Sequence, residues 1–219
     1  QSALFQQAAF DAQTAKATLT LGMADWVEIW LMPKLIPALM QHAPGIRLNV
    51  VASDPFSDAT RLEGGEMDMA VSVAVGGPRW LEREVLTTMP FATLWHPQQL
   101  TLSAPLDVQT FAAQRHLMVS YREASSSHFD TLLAKSGYQR QIHYTTPHFA
   151  ALPGLLETMP ALATVPAGLA DEWQRTRGLM RSPLPLDAEP IEVAMLWHQR
   201  HSSDPAVMWL KTFIAALIV

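Results

Sequence analysis

Between Thr18 and Val73 the chain switches repeatedly between the two-residue period of a strand and longer helix-like segments. This alternation narrows the available folds more than any other feature. Residues 18–23 (TLTLGM) alternate, and Asp25 with Glu28 three residues on has the spacing of a capping box for a helix to about His42. Pro33 and Pro37 are expected to kink or restart that helix, because proline supplies no backbone N–H. His42-Ala-Pro-Gly45 ends it, residues 47–52 (RLNVVA) read as a strand, 58–63 as a short helix, and Gly64-Gly65 leads into a third strand at 67–73. A β-α-β-α-β series of this kind builds a parallel α/β sheet. Its ligand crevice lies at the carboxyl ends of the strands, here Met23-Ala24-Asp25, Ser53-Asp54 and Ser72-Val73.

A second series follows. Residues 86–95 read as one extended segment, 117–120 as a buried strand, 127–135 as a helix closed by Gly137, and 142–145 as a strand. Thr146-Pro147 is expected to open a helix to about residue 158, with Pro147 in its first turn. A strand at 161–165, a helix from Pro166 to about Arg177, and a stiff connection through Pro183, Pro185 and Pro190 lead to a strand at 191–197. Asp204-Pro205 caps and starts a terminal helix. A hydrophobic content of 49% against 16% charged residues supports a packed core under these elements.

Several chemistries are disfavoured at once. With 15 Lys+Arg against 20 Asp+Glu the net charge is −5, so this segment has no basic surplus for nucleic-acid phosphates. No cysteine is present, which removes disulfides, thiolate metal sites and cysteine nucleophiles. No apolar run reaches membrane-spanning length, and residues 1–14 lack the pattern of a signal peptide. Glycine-rich phosphate loops, nucleophile elbows and His-Glu-x-x-His are missing, so no catalytic residue is assigned. His198, His201 and Asp204 form the densest group of metal-type ligands, but too few share a short-range geometry, and a structural or surface role is expected; no metal or other cofactor is assigned. Ser125, His128 and Asp130 include every residue type of a hydrolase triad, yet triad partners converge from separate elements, and helix capping is the expected role.

Three positions carry double readings. Asp25 is expected to cap its own helix, where its charge would compete with an anionic ligand. Trp26, in the first helical turn beside the crevice, either lines a pocket or packs between elements. Thr145-Thr-Pro-His148-Phe149 offers free N–H groups at a helix start and a pH-sensitive imidazole, or a capped helix with His148 in solvent.

Taken in order, Leu-Gly-Met-Ala-Asp25, Met32-Pro33-Lys-Leu, Ala43-Pro44-Gly-Ile-Arg-Leu48 and Leu62-Glu-Gly-Gly-Glu-Met-Asp68-Met-Ala70 resemble the effector-binding domain of LysR-type transcriptional regulators. Pro147-His148-Phe149, Leu162-Ala-Thr-Val-Pro166, Leu196-Trp197-His198 and Asp204-Pro205 before Trp209 continue the likeness, which is nearest the branch of nodulation and aromatic-degradation activators. The resemblance implies an α/β, periplasmic-binding-protein-like fold of two subdomains joined by crossover strands, with a small-molecule effector in a cleft. By that template residues 1–15 end a linker helix, 16–116 plus 195–219 form the first subdomain, and 117–194 form the second. It also implies a cytoplasmic, non-enzymatic regulator that self-associates as dimer or tetramer. DNA would be met only through an N-terminal winged helix-turn-helix that these residues do not contain. Effector contacts carry over to Met23, Ala24, Asp25, Trp26, Ser53, Ser72, Ser120, Tyr121, His148 and Phe149. Ala24 stands where Ser or Thr is often found, which removes a hydroxyl donor. Trp26 and Phe149 imply a flat, apolar ligand body, with His148 and helix N–H groups at its polar or acidic end. The alternative with the same architecture is an extracytoplasmic solute-binding protein of a transporter.

Overall fold

The computed structural model describes residues 10–122 and 126–218. In chain order its elements are β1 (Ala17–Met23), α1 (Asp25–His42), β2 (Ile46–Ala52), α2 (Asp58–Glu63), β3 (Met69–Ser72), β4 (Leu81–Met89) and β5 (Phe91–Trp95). There follow α3 (Val108–Ala113), β6 (Arg115–Val119), α4 (His128–Lys135), β7 (Gln141–Thr146), a 3-10 turn at Phe149–Ala151, and α5 (Leu152–Leu156). The chain continues with β8 (Leu162–Pro166), α6 (Ala167–Arg177), β9 (Met180–Pro183), β10 (Ile191–His198), a 3-10 turn at Gln199–His201 and α7 (Pro205–Ile218). Residues 1–9 of the expected linker helix lie outside the described residues, and within 10–16 Ala15 N–H closes a single turn on Asp11 O at 2.9 Å.

The chain divides into two compact units, one holding the residues up to Ala24, Leu31–Leu86 and the residues from Ala194, the other Asp25–Trp30 and Thr87–Val193. In the first unit the strand order is β2-β1-β3-β10-β4. β1 runs parallel to β2, from Ala17↔Ile46 to Met23↔Ala52, and parallel to β3, while β10 returns antiparallel on β3 with Ala194 opposite Ser72. The parallel pairs follow from the crossover helices, since a chain that leaves a strand through a helix re-enters the sheet in the same direction. Leu62, Met67, Ala70 and Leu196 form a buried cluster under this sheet. Gly22 is required there by proximity: a Cβ at this position would meet Met67 Sδ at 2.0 Å and Ser53 Cβ at 3.2 Å.

Helix α1 runs unbroken through both prolines. Leu31, Leu35 and Leu39, four residues apart, are buried, whereas Pro33 and Pro37, also four apart, are exposed. The carbonyls left without an N–H partner therefore face water, which removes much of the reason for a break. Ala24, not Asp25, is the N-cap, and Asp25 begins the first turn without capping it.

The second unit has strand order β7-β6-β8-β5-β9, with β6 parallel to β7 and β8, and β5 antiparallel to β8 and β9. Trp95, Leu106, Phe111, Ala112, Leu133 and Leu162 form its main buried cluster. The single extended segment expected over 86–95 is two strands separated at Pro90. A proline lacks the donor that a continuous ladder needs, and β5, placed by the resemblance in the first subdomain, pairs with β8 and β9 of the second sheet. Asp107 caps α3 by accepting from Thr110 N–H at 2.7 Å. Asp204 Oδ1 accepts from Ala206 N–H and Val207 N–H at the start of α7, as its position before Pro205 led one to expect.

Candidate functional site

The expected effector residues fall into two groups, one in each unit. In the first unit Met23 is buried at the end of β1, and its carbonyl accepts from Ser53 N–H at 3.0 Å. Ser53 donates its hydroxyl to Asp58 Oδ1, in a contact fixed by the start of α2 directly after the β2 loop. Ser72, also buried, ends β3 and accepts from Ala74 N–H at 3.2 Å. Asp58 is thus the centre of the group, and the sequence reading did not single it out, because an Asp at the start of a helix looks like a cap. Its side chain is buried. Burial raises its pKa above the ordinary carboxylate value, partly offset by the Ser53 and Ser72 hydroxyls and by Arg61, while Asp54 adds to the rise. This carboxyl therefore holds a proton more readily than a surface aspartate does.

In the second unit Asp25, Trp26 and Phe149 meet. Asp25 Oδ2 accepts from Ala150 N–H at 2.8 Å, and Oδ1 is buried with no partner among the described residues. The carboxylate therefore satisfies a backbone donor of the 3-10 turn at Phe149–Ala151 instead of its own helix. The Trp26 and Phe149 rings lie 6.4 Å apart at 60°, and Trp26 also packs on Trp30 at 6.4 Å. Both Trp26 and Phe149 are buried. Ser120 N–H donates to Thr146 O at 2.9 Å, which places Ser120 and Tyr121 just past β6 beside the end of β7. His148 is exposed, and its N–H donates to Thr146 Oγ1 at 3.2 Å. Pro147 lies outside any helix. The helix expected from it is interrupted by the 3-10 turn, and Pro153 of α5 occupies the early helical position instead. Two of the N–H groups that follow Pro147, those of His148 and Ala150, are turned to Thr146 Oγ1 and Asp25 Oδ2.

A cavity of about 190 Å³ opens in the second unit against Phe149. Phe91, Leu117, Val119, Phe129 and Pro166 give it an apolar wall, and Ser127, His128, Arg140 and Thr164 supply its polar edge. Arg140 donates to Asp130 Oδ1 at 2.7 Å, to Asp130 Oδ2 at 3.2 Å and to Ser127 Oγ at 2.9 Å. Asp130 in turn accepts from Ser127 N–H at 2.6 Å and completes the capping box of α4. Burial works against charge on Asp130, but the hydrogen bonds from Arg140 and Ser127 outweigh it and hold the carboxyl below its usual range. Beneath this network His116 is fully buried, with its Nε2–H directed to Phe111 O at 2.8 Å. Burial first, and then the charge of Arg140, lower its pKa to about 4.

The other suggestive groups have structural roles. Ser125 lies outside the described residues, and Asp130 is committed to Arg140 and the helix cap. His198 stacks on Trp80 at 4.5 Å and accepts from Arg200 N–H, while Asp204 caps α7. Among the described residues no group of three His, Asp or Glu converges as a metal site, and no helix is long and apolar enough to cross a membrane.

The family profile of the LysR substrate binding domain matches residues 12–218. The transcriptional activator NahR of Pseudomonas putida is 30% identical over 96% of this chain and 70% of its own length. The regulatory domain of MexT, a transcriptional activator in Pseudomonas aeruginosa, is 28% identical and superposes with a TM-score of 0.83 over 94% of this chain and all of that one. The regulatory domain of CrgA, a LysR-type regulator from Neisseria meningitidis, has the same fold at a TM-score of 0.78 and 17% identity, covering 94% of this chain and all of that one.

Proposed function

This chain belongs to the LysR substrate-binding domain family, a periplasmic-binding-protein-like fold, and from that premise we propose how it senses its effector. A LysR-type regulator domain acts by binding a small molecule, and its relatives are regulators, which favours that role over the transporter alternative. The residues assigned to the effector are Asp25, Trp26, Ser120, Tyr121, His148 and Phe149 in the second unit, and Met23, Ala24, Ser53 and Ser72, now joined by Asp58, in the first. One observation carries the assignment: the Phe149 ring touches Trp26 and at the same time forms a wall of the cavity in its own unit. A ligand against Phe149 is thereby felt at the first turn of α1, whose Asp25 holds the next N–H after Phe149.

A bound effector changes transcription only to the extent that it binds one state of the regulator better than another. The domain therefore works by binding rather than by turnover, in the cytoplasm where its DNA is found. It self-associates as a dimer or tetramer, and DNA is met by a helix-turn-helix module outside these residues. The net charge of −5 fits that division of labour.

The test is ligand-dependent thermal stabilisation of the purified domain, screened across aromatic acids, phenols, amino acids and sugars. A ligand at 100 times its Kd adds about 2.7 kcal/mol. Phe149→Leu, which keeps the core apolar, is expected to abolish most of that stabilisation while leaving the unliganded fold intact. A saturating ligand that induces transcription through the full-length regulator, yet binds Phe149→Leu and Asp25→Asn as well as wild type, refutes the assignment.

A further inference from the structure

The cavity of the second unit has a feature that decides what it accepts. Among the described residues, Arg140 is its one permanent cation, and that charge is already spent. The Arg140 side chain is 2% exposed, and two of its nitrogens are engaged by Asp130 and Ser127. A second carboxylate entering beside this pair would lose its hydration without gaining an uncompensated counter-charge. The cavity is thus unlike an anion site despite the arginine in its wall.

The lining also has unmet hydrogen-bonding capacity. Thr164 Oγ1 is buried on β8 with no partner among the described residues, and so is Thr93 Oγ1, directly across the antiparallel β5–β8 pair. Residues opposite one another on paired strands share a face of the sheet. Two neighbouring buried hydroxyls without partners are an unusual cost for a native fold. The rest of the lining is aromatic and aliphatic: Phe91 and Phe129 meet edge to face at 4.9 Å, and Phe149 closes another side. A cavity of about 150 Å³ holds a benzene ring, so 190 Å³ suits one ring with a small substituent.

We propose that this cavity binds an uncharged monocyclic phenol, its ring among Phe91, Phe129 and Phe149 and its hydroxyl paired with Thr164. The proposal rests on the effector-sensing reading and adds the chemical class of the ligand. Of the polar or acidic ligand end that the sequence suggested it takes the polar form, because the charges of Arg140 and Asp130 already balance each other.

The experiment is calorimetry on the 219-residue chain with three single-ring probes of similar size: 4-methylphenol, toluene and benzoate. The expected order is 4-methylphenol tightest, toluene weaker by about fivefold for the missing hydrogen bond, and benzoate weakest. Thr164→Val should reduce 4-methylphenol affinity to that of toluene while leaving toluene unchanged, and Thr164→Ser should restore it. Circular dichroism establishes that each variant is folded. Benzoate binding more tightly than 4-methylphenol overturns the proposal, as does 4-methylphenol affinity that is indifferent to Thr164→Val. An inducer of another class that depends on Phe149 while 4-methylphenol fails to bind sinks the proposal and leaves the effector-sensing reading intact. Binding of 4-methylphenol with the expected Thr164 dependence, but without any transcriptional response of the full-length regulator, supports the proposal and sinks that reading.

Discussion

Replacing Arg140 by methionine tests how the second unit is held together at its α4 end. The substitution keeps a long, flexible stem and removes the guanidinium, so Asp130 loses donors at 2.7 and 3.2 Å and Ser127 loses one at 2.9 Å. Breaking a fully buried pair by removing one partner costs about 3–5 kcal/mol. The Asp130 side chain keeps 24% exposure and its bond from Ser127 N–H, so water and the helix cap absorb part of the loss. That discount leaves about 2–3 kcal/mol. For a chain of this size the corresponding drop in Tm is about 5–10 °C. Asp130→Asn is expected to cost at least as much, because it strands a guanidinium whose side chain is only 2% exposed. The double variant Arg140→Met with Asp130→Asn should then be more stable than the sum of the single losses predicts, by about 1 kcal/mol or more. Urea unfolding followed by tryptophan fluorescence and circular dichroism measures all three. Single losses that add to within about 0.5 kcal/mol would show that the two residues do not act as a pair.

The pH dependence of stability should carry the signature of His116. Its folded-state pKa is about 4, below the unfolded value near 6.5, so the unfolded chain binds the extra proton between those limits and stability is lost as pH falls from 6.5 towards 4. The full loss is about 3 kcal/mol, and His116→Gln should flatten that part of a urea-denaturation profile. Two glycine substitutions should differ in sign. Gly168→Ala places a Cβ 2.9 Å from the rigid Trp30 ring and should destabilise, by about 1–3 kcal/mol. Gly154→Ala in α5 meets nothing within 4 Å and should be neutral or stabilising, by up to about 1 kcal/mol. Asp204→Ala removes the acceptor for two N–H groups of α7, with an expected loss of about 1 kcal/mol in thermal denaturation.

Local pattern made much of the first unit legible. Alternation located β1, β-rich composition located β2, and α2 spans residues 58–63 as read. What failed were inferences from a single residue about a non-local contact. Asp25 has the spacing of a cap, but its partner is Ala150, 125 residues away. Pro147 fits a first helical turn, but Thr146 and Asp25 take the neighbouring N–H groups, and the chain forms a 3-10 turn before Pro153 admits a helix. Strand β9 is four residues ending in proline, too short for a period, and exists because Ala92–Trp95 offer it a partner. The same limit applies to function. Trp26 and Phe149 were visible as aromatic candidates, whereas Thr164, Arg140 and Asp58 matter through neighbours that no spacing reveals.

The position of β10 bears on how the molecule is made. In the first sheet β10 lies between β3 and β4, although it follows them by about a hundred residues in the chain. A nascent chain that has released β1 to β4 therefore lacks the strand that joins β3 to β4, and both keep unpaired edges while the whole second sheet is being synthesised. Such delayed, non-local pairing is slow and leaves apolar strand edges open to association. The second sheet has all its strands within 91–183. It can close first, and the sheet encoded at the beginning of the chain is the last to be completed.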